Sequence, residues 1–372
     1  MSSVLPQVPI SPAQPGVKQR VALWDNARFL LIVLVVIGHT LSTVRVDTAL
    51  AYAIYTYIFL FHMPAMILLA GMFSRADTSP KAVRSTLQLI VTWVLWEFIW
   101  AGIHGVVEGR PPVDSFLVRP AWTLWFLVSL ATMRIILPYI VRLRHPLLVS
   151  IGLALGSGIF PLIGTEFSAS RTLSFLPFFV AGWLIRDRGW LAGDWFMRPS
   201  RALRATAWGT LGAVALVFVL TPQLRDFWLV DEWLTWRESY YWLFEHAPIG
   251  DWQPRQWGEI VPAGILITAG LIAIAALLTF AFLVVAPRGH SVMTAWGTRT
   301  LYVYLLHGPI VWLLREYEVI AWLDELGTPG ILIMVVGSCV LAVLLSMAWV
   351  SRVFRPVIEP RFEWVYARKP IN

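Results

Sequence analysis

The stretch WDNARFLLIVLVVIGHT, residues 24–40, decides the fold, because nine apolar residues and one glycine separate Arg28 from His39, two groups that can carry charge. At 3.6 residues per turn and 1.5 Å per residue, Arg28 and His39 share one helix face and lie about 16 Å apart along the axis. We therefore predict a membrane-spanning helix with Arg28 at one membrane boundary and His39 near the bilayer midplane.

Further apolar runs follow along the chain, many of them close to the length that crosses a hydrocarbon core of about 30 Å. The predicted spans are about 29–44, 50–73, 85–106, 121–140, 147–163, 171–186, 205–220, 260–286, 300–314 and 330–351. We predict an all-α fold, a polytopic transmembrane helix bundle of about ten spans over residues 20–356. Residues 1–19 are polar and proline-rich, which favours a disordered tail over a signal peptide, and residues 357–372 form a second tail.

The composition excludes most other classes of protein. Of 372 residues, 58% are apolar and only 14% are charged, whereas soluble domains carry about 25% charged residues. So few charges cannot cover the surface of a soluble, disordered or nucleic-acid-binding protein. Cys339 is the one cysteine, so neither an internal disulfide nor a thiolate metal cluster is expected.

Charged residues between the predicted spans alternate in sign from one side of the bundle to the other. With ten spans, one side carries 20 basic and 6 acidic residues, and the other carries 8 basic and 15 acidic residues. Basic residues concentrate in cytoplasmic loops. We therefore predict that both termini are cytoplasmic and that the chain is a multi-pass protein of the plasma or inner membrane.

The longest predicted extracytoplasmic segment, residues 221–259, is acidic and aromatic. Its aromatic residues include Trp228, Trp233, Trp236, Tyr240, Tyr241, Trp242, Trp252 and Trp257. Such residues favour the membrane interface, which predicts a helix lying among lipid headgroups. The alternative is a platform or lid on which a sugar ring stacks.

Several polar or ionisable residues lie inside the predicted spans, where a charged group is costly unless it is paired or hydrated. His62 and Glu97 lie about 18 Å from the cytoplasmic ends of their spans, near the depth of His39. Tyr304 and His307 lie about 10 Å in. A hydrogen bond to a neighbouring helix explains any one of them, but their common level predicts a shared polar cavity. Burial there favours a neutral imidazole, the form that a general base needs.

Five segments in a fixed order resemble a known family. The first is residues 24–40 with its Arg-x10-His pair, and the others are FLFHMPAMILLAGMFSR (59–75), TLWFLVSL (123–130), FLPFFVAGWLIR (175–186) and TLYVYLLHGPI (300–310). The chain resembles the integral-membrane acyltransferase 3 family, and within it the fucose 4-O-acetylase-like branch. The segments cover most of the region of predicted spans.

This resemblance implies an O-acyltransferase that moves an acetyl or other short acyl group from cytoplasmic acyl-CoA to a hydroxyl of an extracytoplasmic sugar, glycan or glycolipid of the cell envelope. It implies acetyl-CoA as donor substrate and no metal, with His39 as the catalytic histidine and Arg28 as its motif partner. Two positions depart from the family pattern. The cytoplasmic Arg-x-x-Arg element reads Lys81-Ala-Val-Arg84, and Ala70 replaces a serine that often precedes the glycine.

The chemistry of acyl transfer suggests roles for the remaining residues. A hydroxyl that attacks a thioester has to lose its proton, so His39 is the predicted general base, with Glu97 or His62 orienting its ring. The residues predicted to contact the substrate are Trp125, Tyr304 and His307. The cations predicted to contact the phosphates of acyl-CoA are Arg28, Arg75, Lys81 and Arg84.

Other interpretations fit the same sequence. A transporter or flippase for a sugar-containing or amphipathic solute would also use a polar cavity at mid-membrane depth. A non-catalytic membrane subunit is a third possibility. The cytoplasmic cations also serve topology and lipid binding, and an acyl-histidine at His39 is an alternative to direct transfer.

Overall fold

The computed structural model describes residues 21–109 and 116–360, where the regular secondary structure is helical apart from isolated β-bridges. The tail predicted at 1–19 and the chain beyond residue 360 lie outside the described residues. The helices are α1 Ala22–Leu41, α2 Ala49–Met72, α3 Pro80–Glu108, α4 Trp125–Ile140, α5 Pro146–Ser157, α6 Ala169–Asp187, α7 Asp194–Met197, α8 Arg201–Leu220, α9 Leu224–Phe227, α10 Val230–Trp233, α11 Tyr240–His246, α12 Trp257–Val285, α13 Val292–Gly297, α14 Thr300–Glu316, α15 Val319–Glu325, α16 Thr328–Leu345 and α17 Ala348–Ile358.

Each predicted span overlaps a helix, although 147–163 extends beyond the end of α5 and 330–351 continues across the break between α16 and α17. Among the described residues, seven helices are long and apolar enough to cross a membrane. The seven are α1, α2, α3, α6 with the 3-10 turn before it, α8, α12 and α16. The other three, α4, α5 and α14, have 16, 12 and 17 residues, fewer than the roughly 20 of a typical span. An all-α, multi-pass membrane protein is thereby confirmed. The total of ten spans and the cytoplasmic termini stay predictions.

Capping residues set the boundaries of α2 and α3. The Thr48 hydroxyl accepts a hydrogen bond from the Ala51 backbone N–H at the start of α2 (3.2 Å). Ser79 caps α3 in the same way and is followed by Pro80, whose fixed φ suits the first turn of a helix. Gly109 ends α3 with φ 66°, in the left-handed region that favours glycine.

Helices α2 and α6 approach closely because each has a glycine where they cross. A Cβ on Gly71 would lie 2.0 Å from the carbonyl oxygen of Phe179, and one on Gly182 would lie 2.0 Å from that of Leu68. Any larger side chain at either position would force the helices apart. The glycine that follows Ala70 is therefore required for helix contact, and α2 and α6 form one wall of the cavity described below.

Residues 221–256, here called the cap, cover one end of the bundle. Trp233, Trp236 and Tyr240 are buried. The Trp233 indole N–H donates to the Ala247 carbonyl (3.0 Å), and the Tyr240 hydroxyl donates to the carbonyl of Leu155 in α5 (2.7 Å). Much of the predicted aromatic segment thus forms a folded cover rather than one exposed helix, and its buried residues belong to the same hydrophobic core as the bundle, although Trp252 and Trp257 are exposed.

The cap lies where α1 ends and α2 begins, at what we call the cap end. Arg45, between these two helices, donates to the carboxylates of Asp231 and Glu232 in the cap, both at 2.6 Å. At the opposite end, the Asn26 amide in α1 donates to the Pro287 carbonyl after α12 (2.9 Å). Connections thus gather at two ends of the bundle, as antiparallel neighbouring helices require.

Candidate active site

A cavity of about 330 Å³, the first cavity, lies between α1, α2, α4, α6 and α14 beneath the cap. It extends from Thr300 and Leu301 at the start of α14 to Glu232 in the cap, and so runs through much of the depth of the bundle. Its polar lining residues are His39, Ser42, Arg45, Tyr55, His62, Trp122, Thr123, Trp125, Arg171, Glu232, Thr235, Arg237, Thr300 and Tyr304. A cavity with polar residues is therefore present at the level of His39, and His62 and Tyr304 share its wall, but Glu97 and His307, which were predicted to share it, are not among its lining residues.

His39 forms a pair with His307 of α14. The distance between His39 Nδ1 and His307 Nε2 is 3.0 Å, and the two ring centroids are 5.1 Å apart. His307 is fully buried, and its Nδ1 lies 2.9 Å from the Val303 carbonyl oxygen. His307, which was predicted to contact the substrate, thus lies behind His39 and is not among the residues that line the first cavity.

These contacts fix which nitrogens carry hydrogen. A carbonyl oxygen only accepts, so His307 Nδ1 has to donate to Val303, which leaves Nε2 of a neutral His307 as an acceptor. His39 Nδ1 then donates to His307. The nitrogen of neutral His39 with a free lone pair is therefore Nε2, the one available to a substrate in the first cavity.

Trp122 and Arg315 hold the other side of His39. The Trp122 ring stacks on the His39 imidazole with centroids 5.0 Å apart, and the Arg315 guanidinium lies 4.2 Å from the centroid of the same indole. Arg315 also donates to the His39 backbone carbonyl and to Ser42 Oγ. The last turn of α1 is thereby tied to α14, which restricts the position of His39.

Glu97 does not contact His39. Its Oε1 accepts hydrogen bonds from the Trp93 indole N–H (2.8 Å) and from the Ala121 backbone N–H (2.9 Å). Ala121 begins the turn that carries Trp122. The buried carboxylate therefore anchors the turn that presents Trp122 to His39.

Three other predicted residues line the first cavity. His62 has its Nδ1 2.7 Å from the Ile58 carbonyl, so its contact within α2 replaces the predicted contact with His39. The Tyr304 hydroxyl donates to the Thr123 carbonyl, next to Trp122. The Trp125 ring stacks on Phe175 with centroids 5.7 Å apart. Tyr304 and Trp125 thus form walls of the cavity, as predicted for residues near a substrate.

A second cavity, of about 470 Å³, lies at the opposite end of the bundle between α2, α3 and α4. Arg75 and Lys81 line it together with Arg134 of α4. Arg75 and Lys81 are exposed, whereas Arg134 is partly buried and donates to the Ser85 carbonyl (3.4 Å). These three cations could meet the phosphates of a nucleotide.

Arg28 lies beside this second cavity rather than in the first. Its guanidinium stacks 4.2 Å from the centroid of Phe73, a lining residue of the second cavity, and its Nη1 lies 3.3 Å from Asp25 Oδ1. Arg84 is exposed on the first turns of α3. The Arg-x10-His pair thus has its histidine in the first cavity and its arginine at the edge of the second.

Sequence reasoning did not single out four residues of the site. Trp122 precedes a helix, and Arg171, Arg237 and Arg315 lie near helix ends or in the cap, where a cation also satisfies the topology rule. Arg315 carried a usable signal, because it follows His307 by eight residues, which places it about two turns further along α14 and about 80° around the helix.

No group of three or more His, Cys, Asp or Glu residues in ranges 21–109 and 116–360 could hold a metal ion. The site instead combines an oriented histidine in a membrane-embedded cavity with cations at one end. The sequence matches the acyltransferase 3 family, described as an acyltransferase domain, over residues 21–347. The chain belongs to the acyltransferase 3 family. The matched region runs from the start of α1 beyond the end of α16.

Membership of the acyltransferase 3 family makes the protein an acyltransferase in a multi-pass membrane domain. It favours the enzyme over the transporter and the non-catalytic subunit that the sequence alone left open. No match was found among curated proteins or among solved structures.

Proposed function

We propose that this acyltransferase moves an acyl group, acetyl in the first instance, from cytoplasmic acyl-CoA to a hydroxyl of an extracytoplasmic envelope sugar, glycan or glycolipid. His39 is the general base. The observation that carries this proposal is the chain of contacts from Val303 through His307 to His39, which leaves His39 Nε2 available to the first cavity. Assignment to the fucose 4-O-acetylase-like branch stays a prediction.

In the first step, His39 Nε2 takes the proton of the acceptor hydroxyl as its oxygen attacks the thioester carbon. The imidazolium that forms donates a stronger hydrogen bond to His307 Nε2, because a charged donor strengthens the bond. His307 is therefore a positioning residue, which fixes the tautomer and stabilises the charged ring. A positioned base of this kind contributes about 10²–10⁴ to the rate.

In the second step, the tetrahedral intermediate collapses and its carbon–sulfur bond breaks. The sulfur of CoA leaves and receives the proton from His39 Nε2, which restores the neutral imidazole. The products are the acyl ester of the acceptor and free CoA. Trp125 and Tyr304, as cavity walls, contact the substrates during these steps.

The donor nucleotide is proposed to bind at the second cavity. Arg75 and Lys81 supply cations there, and Arg134 of α4 supplies a third. Arg28 and Arg84, at or near its edge, complete the set predicted to contact the phosphates. The flexible pantetheine arm then reaches the first cavity along α1, on the face that Arg28 and His39 share.

The proposal is tested with purified protein in liposomes that also contain lipids and glycans extracted from the source membranes. [14C]Acetyl-CoA is supplied on one side, and the label is followed into extracted products. Transfer of label to a glycan or lipid supports the proposal, while movement of unmodified solute without labelling would favour a transporter. The absence of both labelling and transport would favour the non-catalytic subunit.

A further inference from the structure

Arg171, in the first turn of α6, lines the first cavity near the cap. Its Nε donates to the Thr235 carbonyl in the cap (3.1 Å), and its guanidinium lies 4.8 Å from the centroid of Trp125. The Trp125 ring is held in turn by its stack on Phe175. These contacts fix the plane of the guanidinium while using one of its five N–H groups.

The charged side chains of the first cavity are unequally neutralised. Arg45 is paired with two carboxylates of the cap, and Arg237 Nε lies 2.7 Å from a carboxylate oxygen of Glu238. Within the part of the chain that the structure describes, no carboxylate lies at ion-pair distance from Arg171. A cation removed from bulk water is costly without a partner, so an oriented guanidinium at this depth favours binding of an anion.

We propose that the acceptor carries a carboxylate or a phosphate, and that Arg171 binds this anionic group while His39 faces the hydroxyl to be acylated. This inference rests on the proposed function. A planar guanidinium meets either oxyanion with two parallel hydrogen bonds, a geometry that Lys does not offer. The acceptor is then an acidic sugar or a sugar linked to phosphate, and Arg171 sets this specificity.

The position of Arg171 favours the acceptor over the phosphates of the donor. Arg171 contacts the cap through Thr235, whereas Arg75 and Lys81 line the second cavity at the opposite end of the bundle. Two separate sets of cations for one nucleotide would be too far apart to serve the same phosphates. The anion at Arg171 therefore belongs to the other substrate.

The charge of the acceptor is measured directly. Membranes of source cells that overproduce the protein are incubated with [14C]acetyl-CoA, and labelled products are separated by anion exchange at pH 7. Retained label supports the inference. Loss of retention after carbodiimide–borohydride reduction identifies a carboxylate, and loss after aqueous hydrogen fluoride identifies a phosphate ester. Label on neutral products alone would overturn this inference and leave the proposed function standing, whereas no labelled product at all would overturn both.

Variants then connect the charge to Arg171. The acceptor recovered from the retained fraction and deacetylated is titrated against wild type, Arg171→Gln, Arg171→Lys and Arg119→Gln. Arg119→Gln removes a charge that pairs with Glu166 on the exposed surface near the start of α6, outside the cavity. Loss of a charged hydrogen-bonding group costs about 1.5–3 kcal/mol, so Arg171→Gln should raise the KM for the acceptor on the order of 10- to 100-fold.

The KM for acetyl-CoA should stay unchanged in Arg171→Gln, Arg171→Lys should recover part of the acceptor affinity, and Arg119→Gln should match wild type. A fall in kcat with an unchanged acceptor KM would overturn the inference, because Arg171 would then act on the reacting atoms. An equal effect on a neutral acceptor would also overturn it.

Discussion

The two cavities hold their polar groups in different ways. In the first, His39 is held by His307 and Trp122, and Arg171 by Thr235 and Trp125. In the second, Arg75 and Lys81 are exposed on a short connection and the first turn of α3. The first cavity has its functional groups fixed by contacts with neighbouring side chains, and the second cavity has exposed cations in its lining.

This difference matches the demands of two tasks. Proton transfer depends on distances of about 3 Å, so a catalytic group has to be oriented in advance. Attraction of phosphates acts over longer distances and tolerates movement of long side chains. We therefore expect large losses from single changes in the first cavity and small, salt-dependent losses in the second.

The largest effect is expected for His39→Ala, which removes the proposed base. Its kcat should fall about 10²- to 10⁴-fold, with the KM for acetyl-CoA little changed. Transfer of label in liposomes measures this loss. The matched control is His145→Ala, at an exposed histidine before α5. Normal turnover of His39→Ala in correctly folded protein would refute the base assignment.

His307→Ala should come next, because it removes the acceptor that holds His39 Nδ1. Loss of the hydrogen-bond partner of a metal-ligating histidine typically costs 10- to 100-fold, and we expect a loss of similar size in kcat here, with both KM values unchanged. His307→Gln should recover part of it, since its side-chain oxygen can accept from His39. A raised acceptor KM at constant kcat would instead favour direct contact between His307 and the substrate.

Two variants of Glu97 distinguish the hydrogen bonds of its side chain from its negative charge, and their effects on kcat should be smaller than that of His307→Ala. If its oxygen only accepts hydrogen bonds from Trp93 and Ala121, Glu97→Gln keeps those acceptors and should retain most activity. Glu97→Ala leaves two donors without a partner, and should lower stability by about 1–3 kcal/mol and reduce kcat. Thermal unfolding and label transfer are measured for both variants. Equal losses would show that the negative charge itself matters.

The smallest effects are expected at the second cavity. Exposed ion pairs contribute about 0.2–1 kcal/mol, so Arg75→Gln or Lys81→Gln alone should raise the KM for acetyl-CoA about two- to fivefold. The wild-type KM should rise with salt, and a double variant should flatten that dependence. Arg201→Gln, an exposed change at the start of α8, is the control. If the KM for acetyl-CoA changed neither with salt nor in the two variants, the proposal that the donor binds at the second cavity would be refuted.

The pattern of apolar residues along the sequence predicted most of the helices of the fold. Every predicted span overlaps a helix, since long apolar runs in a membrane have to satisfy their backbone hydrogen bonds as helices. Depth along the helices predicted one shared level for His39, His62 and Glu97, and of these His39 and His62 line the first cavity whereas Glu97 does not. Both conclusions depend on the length of a helix or on the depth of a residue along its own helix, and sequence determines these distances well.

The relation between helices was harder to predict. His307 was placed at a shallower level than His39, yet the rings are in contact, because sequence does not fix how far α14 is shifted along α1. Glu97 supports a turn without periodicity, so its partner Ala121 gave no signal. Arg171 and Arg315 were counted as topology charges, which the inside–outside rule cannot distinguish from binding residues.

The close contact of α2 and α6 at Gly71 and Gly182 restricts how the first cavity can open to a ligand. Because the backbones of α2 and α6 are in contact, these helices cannot slide or separate without breaking that contact. This wall of the first cavity is therefore a fixed frame. The cap closes the end of this frame and is fastened to the connection between α1 and α2 through Arg45. Any opening of the first cavity on the cap side therefore has to separate one arginine from two carboxylates.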